Sequence, residues 1–142
     1  GDHPTELLFE EEYVVVGCAK NPAFKRRRIS EEAFFDAGHI VVEIGRQART
    51  SFAETHLRQS HEKRRIEMRV SSFLIAPEMV INTSKLTVMH KRLAKMYAKR
   101  LEIAISPMPF DFPLMREMIQ YQQSRQNDDG LRWLIDQLKQ VC

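Results

Sequence analysis

The chain has 142 residues, 43% hydrophobic and 29% charged, which suits one domain of ordinary size, or part of a larger one, with a real core. That balance excludes collagen, low-complexity disorder and a disulfide scaffold, and no apolar stretch nears the roughly 20 residues of a membrane-spanning helix. Twenty-two Lys and Arg against 19 Asp and Glu leave a net charge of +3, well short of a dedicated nucleic-acid surface.

Tyr13-Val14-Val15-Val16-Gly17-Cys18 is short, β-branched and continuous, which predicts a buried strand. Residues 19–28 read as a loop, with Asn21-Pro22 as a turn signal and Lys25-Arg26-Arg27-Arg28 as a basic cluster. Ser30 is placed to cap a short helix whose first turn holds Glu31 and Glu32, where the helix dipole favours anions, and Gly38 is placed to close it. Residues 39–43 form the next strand, and residues 44–49 a loop around Gly45. Ser51-Phe52-Ala53-Glu54 has capping-box spacing and predicts a helix over 52–62. Ile66, Met68 and Val70 alternate with Glu67, Arg69 and Ser71, the pattern of a half-buried strand. Ser71 or Ser72 can cap an apolar helix over 73–82, whose start moves toward Ala76 if Pro77 is to sit in its first turn. A strand over 86–89, a basic helix over 90–99 and a strand over 101–105 complete the series. Pro107, Pro109 and Pro113 punctuate a connector, and residues 114–122 stay open between strand and helix. Asp128-Asp129-Gly130 marks a turn, and Leu131, Leu134, Ile135, Leu138 and Val141 form a helical stripe with Trp133 beside it. Strict alternation from Tyr13 to Ile105 predicts an α/β fold with a mostly parallel sheet flanked by helices.

Catalytic constellations are thin. The sequence has no Gly-rich phosphate loop and no paired-Cys or His-x-x-x-His spacing. His3, His39, His56, His61 and His90 are scattered, and His56 and His61 do not share a helix face. Cys18 falls in a buried strand, without the open electropositive setting that activates a thiol, and Cys142 ends the chain; both are expected as reduced thiols. No catalytic residue, metal or cofactor is expected. The cluster at residues 25–28 can add salt-sensitive affinity for phosphate but cannot read bases, and no aromatic is interleaved to stack on one; the expectation is a solvated loop.

Two places look more like a small-molecule site. Residues 45–51, Gly45-Arg46-Gln47-Ala48-Arg49-Thr50-Ser51, lead from a strand's carboxyl end into a helix N-terminus, and Ser71-Ser72-Phe73 does the same at the next strand. In open α/β sheets ligands sit at the carboxyl ends of strands, and helix N-termini there present free N–H groups. Thr50, Ser51 and Ser72 add hydroxyls, Arg46 and Arg49 cations. Taken singly, each hydroxyl can be only a cap and each arginine only a solvated cation; together the two junctions read as a mouth.

Several segments carry a resemblance in their order and spacing. They are His3-Pro4-Thr5-Glu6-Leu7-Leu8-Phe9 leading into Glu12-Tyr13-Val14-Val15-Val16, then Gly38-His39-Ile40-Val41, then Arg64-Arg65-Ile66-Glu67 through Ser72-Phe73. Ala76-Pro77-Glu78-Met79-Val80-Ile81-Asn82-Thr83 and Met89-His90-Lys91-Arg92-Leu93-Ala94 follow, and Pro107-Met108-Pro109, Asp128 and Trp133-Leu134 complete the set. Read together, they resemble the LysR-type transcriptional regulators, most closely the branch containing the nodulation regulator NodD. The resemblance implies a two-lobed effector-binding domain like that of periplasmic binding proteins, with the effector between the lobes. Residues 1–106 would be the second lobe, entered by a crossover segment, and residues 107–142 the return segment and C-terminal helix of an incomplete first lobe. It also implies that Met115 to Tyr121 is a strand. The effector would be a small aromatic or anionic compound, met by Gly45, Arg46, Gln47, Thr50, Ser51, Phe52, Ser72 and Phe73. A cytoplasmic homo-oligomer is implied, with no membrane contact, that meets DNA only through a helix-turn-helix with no counterpart in this chain. A ligand-independent oligomerisation module and a small α/β enzyme are the competing readings.

Overall fold

The computed structural model describes residues 3–45, 49–59 and 64–142. In chain order its elements are β1 (Thr5–Glu11), β2 (Tyr13–Cys18), α1 (Glu31–Asp36), β3 (Gly38–Ile44), β4 (Arg49–Thr50), α2 (Phe52–Gln59), β5 (Arg65–Val70), α3 (Ala76–Met79), β6 (Leu86–His90), α4 (Lys91–Tyr97), β7 (Ile103–Pro107), β8 (Met115–Gln120) and α5 (Asp129–Val141). They fall into two compact units, one of Glu12–Pro113 and one that joins the residues up to Glu11 with Leu114–Cys142. These boundaries differ from a division at 106/107 because β1 pairs along its whole length with β8, and because Met108, Phe110 and Phe112 pack in the larger unit.

In the larger unit the strands lie in the order β5–β3–β6–β2–β7, with β4 adding a two-residue pairing at the end of β3. β3 is parallel to β5 and β6, while β2 is antiparallel to both β6 and β7. Four strands therefore share a direction, as the alternation of elements predicts, and β2 and β4 oppose them. The reason for β2 lies in the loop after it. Ala19 N–H donates to Glu102 O at 2.9 Å, at the start of β7, and the Arg28 guanidinium donates to Met108 O at 2.7 Å, beyond its end. The loop thus climbs alongside β7 in place of a returning strand before α1 brings the chain down to β3.

Every residue of β2 is buried, as its continuous apolar run requires of a strand covered on both faces. On one face Val14, Val16, Ile40, Val42, Met89 and Ile103 pack with Ala76 and Val80 from α3 and its C-cap and with Ala94 and Tyr97 of α4. On the other, α1 sets Phe34 against His39, centroids 4.6 Å apart. His39 is fully buried; its Nε2 donates to Phe34 O at 2.7 Å and its Nδ1 has no partner among the described residues. Burial disfavours the charged ring, holding its pKa down at about 4.

Local chemistry explains the element ends. Ser30 caps α1 by accepting from Ala33 N–H at 3.1 Å, but Gly38 does not close that helix. It opens β3, with the end of the Glu67 side chain packed beside it. The apolar helix expected over 73–82 contracts to Ala76–Met79, because Ser72 first holds a turn and Asn82 takes a φ of 56°. The last strand of the series moves from 101–105 to Ile103–Pro107, since Leu101 N–H still bonds Tyr97 O as the exit from α4.

In the smaller unit β1 and β8 form an antiparallel pair with a bulge between Leu7 and Phe9, which breaks the alternation that would have marked β1 in the sequence. β8 settles the ambiguous segment as a strand. Asp128 caps α5 by accepting from Leu131 N–H at 2.8 Å. Glu6 of β1 accepts from Arg132 and Lys139 of α5 and from Tyr121. The Lys139 and Arg132 bonds hold its carboxyl down at about 2.

Candidate functional site

Three parallel strands of the larger unit end at one edge of the sheet: β3 at Ile44, β5 at Val70 and β6 at His90. Because β2 runs the other way, its first residue, Tyr13, is the register partner of His90 and arrives at the same edge. Both sequence-predicted junctions leave from here. After β3, Gly45 takes a φ of 82°, which favours glycine, and turns the chain into β4, where Thr50 pairs with Glu43. Ser51 then caps α2, its Oγ accepting from Glu54 N–H at 3.2 Å. The Glu54 carboxylate serves elsewhere: one guanidinium nitrogen of Arg64 donates to both its oxygens at 2.8 Å, and both side chains are about 95% buried, at 4% and 5% exposure. This pair ties α2 to the start of β5. After β5, Ser72 Oγ accepts from Leu74 N–H at 3.1 Å, and Phe73 follows.

Rings connect the two junctions. Phe52 stacks on Tyr13 with centroids 5.8 Å and planes 12° apart. Tyr13 lies 4.9 Å from His90, and its hydroxyl shares a 3.0 Å hydrogen bond with His90 Nε2. His90 in turn lies 5.0 Å from Phe73. His56, one turn along α2, sits 4.3 Å from Phe52 and donates from Nδ1 to its carbonyl at 2.9 Å. Phe112 meets Tyr13 edge-on at 5.6 Å. Ring pairs of this geometry contribute about 0.5–1.5 kcal/mol each beyond their area, so the edge is preorganised.

Of the predicted residues, the structure joins Phe52 and Phe73 through this string of rings and sets Ser51 and Ser72 beside them in sequence. Gly45 acts through its backbone, and among the described residues nothing lies within 4 Å of where its Cβ would stand. Thr50 is described through its backbone pairing alone, and Arg46 and Gln47 lie outside the described residues. Sequence reasoning missed Tyr13, His90, His56 and Phe112. No local signal marks them, since the direction of β2, which decides whether Tyr13 and His90 meet or lie at opposite edges, is set by its pairing with β6. Chemically, the arrangement offers partly exposed aromatic faces and two hydroxyls that accept one backbone N–H each and keep a proton to donate. Among the described residues there is no cluster of three or more His, Cys, Asp or Glu able to hold a metal ion, and Cys18 is buried, accepting from Asn82 N–H at 3.4 Å. A cavity of about 260 Å³ opens beside Cys18 at the opposite edge, between residues 18–22 and 82–84, away from all the predicted positions.

Comparison with known proteins agrees with this architecture. The chain is 33% identical over 133 residues to nodulation protein D of Azorhizobium caulinodans, covering 93% of this chain and 42% of that protein. It is 31% identical over 138 residues to nodulation protein D 2 of Rhizobium tropici, covering 97% and 44%. The chain therefore spans less than half the length of these relatives. Among solved structures, a probable transcriptional regulator from Pseudomonas aeruginosa superposes with a TM-score of 0.77 at 23% identity, covering 96% of this chain and 44% of that one. The regulatory domain of CcmR from Synechocystis, in complex with 2-PG, superposes with a TM-score of 0.76 at 16% identity, covering 99% and 67%. At those identities the likeness shows the fold, that of regulatory domains of transcription regulators. The profile of the LysR substrate binding domain matches residues 2–142, and the chain belongs to that family, whose members are transcriptional regulators rather than enzymes.

Proposed function

We propose that this chain is the effector-sensing part of a LysR-type regulator and takes a small aromatic or anionic molecule at the carboxyl edge of the larger unit. The observation that carries the reading is the string Phe52–Tyr13–His90–Phe73, which links the two junctions at the edge where α/β sheets bind ligands. In this reading Phe52 and Phe73 give the ring of a ligand its apolar faces, and the Ser51 and Ser72 hydroxyls donate to its oxygens. Gly45 sets the turn at the end of β3, and Arg46, Gln47 and Thr50, which follow it in sequence, are the further candidate contacts. The larger unit is then the second lobe of an effector domain, and the smaller unit belongs to the first. That a regulatory domain of the same fold was solved with 2-PG supports a small molecule as the ligand.

Further parts of the reading are a cytoplasmic location, DNA reading by a helix-turn-helix outside these residues, and homo-oligomers. Among the described residues no helix is long and apolar enough to cross a membrane. The exposed Trp133, Leu134 and Leu138 of α5 support self-association, which sedimentation at micromolar concentration checks. The test of the site is titration of the 142-residue chain with a panel of phenolic and carboxylate compounds, followed by amide chemical shifts. Saturable shifts at Ser51, Phe52, Ser72 and Phe73, weakened about tenfold or more by Phe52→Ala, are expected. Saturable shifts confined to other residues would overturn the site.

A further inference from the structure

The sensing role leaves the basic cluster of residues 25–28 unused. Several cations elsewhere are matched with carboxylates: Lys20 with Glu102, Arg58 and Arg69 with Glu43, Lys85 with Glu67, Lys91 with Glu12. Lys25, Arg26 and Arg27 are exposed and have no carboxylate partner among the described residues. Their loop is nonetheless held at both ends. Asn21 Oδ1 accepts from Ala23 N–H at 3.0 Å, and Lys25 N–H donates to Pro22 O at 3.1 Å. On the far side Arg28 donates to Met108 O at 2.7 Å, and the buried Ile29 donates its N–H to Ser106 Oγ at 2.8 Å. Three free cations are thus presented on an anchored backbone, so a partner need not order the loop in order to bind it.

The chemistry around the cluster selects the partner. No large apolar side chain is exposed between residues 19 and 37, so a protein partner would find no anchor of the kind that dominates protein interfaces. No ring interrupts residues 25–28, so an unpaired base would find nothing to stack on. What remains is attraction to closely spaced phosphates, and duplex DNA carries one charge per about 1.7 Å of its axis. We propose that Lys25, Arg26 and Arg27 form an accessory, sequence-independent contact surface for the phosphate backbone of duplex DNA. The choice of DNA among polyanions rests on the regulator reading; the phosphate chemistry does not. Arg28 serves as the clamp that presents the other three.

The test is fluorescence anisotropy of a labelled duplex of arbitrary sequence with the 142-residue chain, from 20 to ~200 mM salt, within the range where phosphate contacts are salt-sensitive. Each phosphate contact contributes about 0.9 to the slope of log K against log salt. The triple variant Lys25→Ala/Arg26→Ala/Arg27→Ala is therefore expected to lower that slope by about 2 to 3. The single reversal Arg26→Glu lowers it by about 1 or more on the same basis. A charge-matched control, Lys95→Ala/Lys99→Ala/Arg100→Ala, is expected to lower it by less than half as much as the triple variant. Equal losses in the two triple variants, no binding by the unaltered chain at the lowest salt, or equal affinity for poly-glutamate would each overturn the proposal. Effector titration reads a different set of residues, so failure here and failure of the sensing site are distinguishable.

Discussion

In the unit Glu12–Pro113, β2 is buried at every position and β6 at all but its last, whereas β1 and β8 of the smaller unit expose about every second residue. The larger unit holds a cluster of ten buried apolar side chains between its sheet and two helices. Among the described residues of the smaller unit, Ile135 is the only apolar side chain in that class. In its place stands a charged cluster, Glu6 with Arg132, Lys139 and Tyr121. The two regions of one chain thus rest on different physics. Burial stabilises in proportion to area and largely ignores salt, while exposed ion pairs are screened and contribute little singly.

The largest effect should come from the buried Arg64–Glu54 pair of the larger unit. Arg64→Met removes the buried partner of Glu54 and leaves it, among the described residues, only the half-exposed Arg58 at 4.0 Å, and breaking a buried pair costs about 3–5 kcal/mol. Denaturant unfolding should show that loss and its recovery in Glu54→Leu/Arg64→Met; an unchanged midpoint in the single variant would mean the pair is solvated. Next is Ile135→Ala. A cavity of that kind costs about 2–5 kcal/mol, enough to speed hydrogen exchange throughout β1, β8 and α5 while the β2 amides keep their protection. Loss of protection in both units alike would erase the contrast.

Acid should separate the units further. The His39 pKa is near 4 in the fold against 6.5 for the free side chain, so the unfolded chain binds more protons between those values. Its contribution is complete above pH 6.5 and is lost as pH falls through 4, about 3 kcal/mol in all. His39→Phe should flatten this part of the stability profile; a profile identical to the unaltered chain would remove His39 from the account. Gly45→Ala should cost about 1 kcal/mol through its positive φ, and thermal melting would detect it. The smallest effect is at Glu6, whose carboxyl falls to about 2 from 4.5. Its support is complete above pH 4.5 and is lost as pH falls through 2. Carboxyl NMR should give a midpoint near 2, and a midpoint near 4.5 would dissolve the cluster.

Legibility in the sequence followed the same division. Strands with an unbroken local pattern were plain: the apolar run of β2 and the alternation of β5 match Tyr13–Cys18 and Arg65–Val70. Ser30 and Ser51 were readable as caps because capping is settled within three residues. β1 was not readable, because its bulge shifts the pattern partway along. The length of α3 was not readable either, since Ser72 and Asn82 act as local exceptions to an apolar run. At the candidate site, Phe52 and Phe73 stand at junctions that sequence order defines. Tyr13 and His90 meet only because β2 is antiparallel, and the direction of a strand is fixed by distant partners rather than by its own residues.

That antiparallel strand also sets a timetable for synthesis. Tyr13 must wait for His90, 77 positions later, before β2 acquires its first neighbour. At about 5–20 residues per second, translation leaves this six-residue, wholly apolar segment unpaired for roughly 4–15 s. During those seconds the most deeply buried strand of the finished protein is its stickiest segment, and a chaperone that shelters nascent chains would find its natural target there.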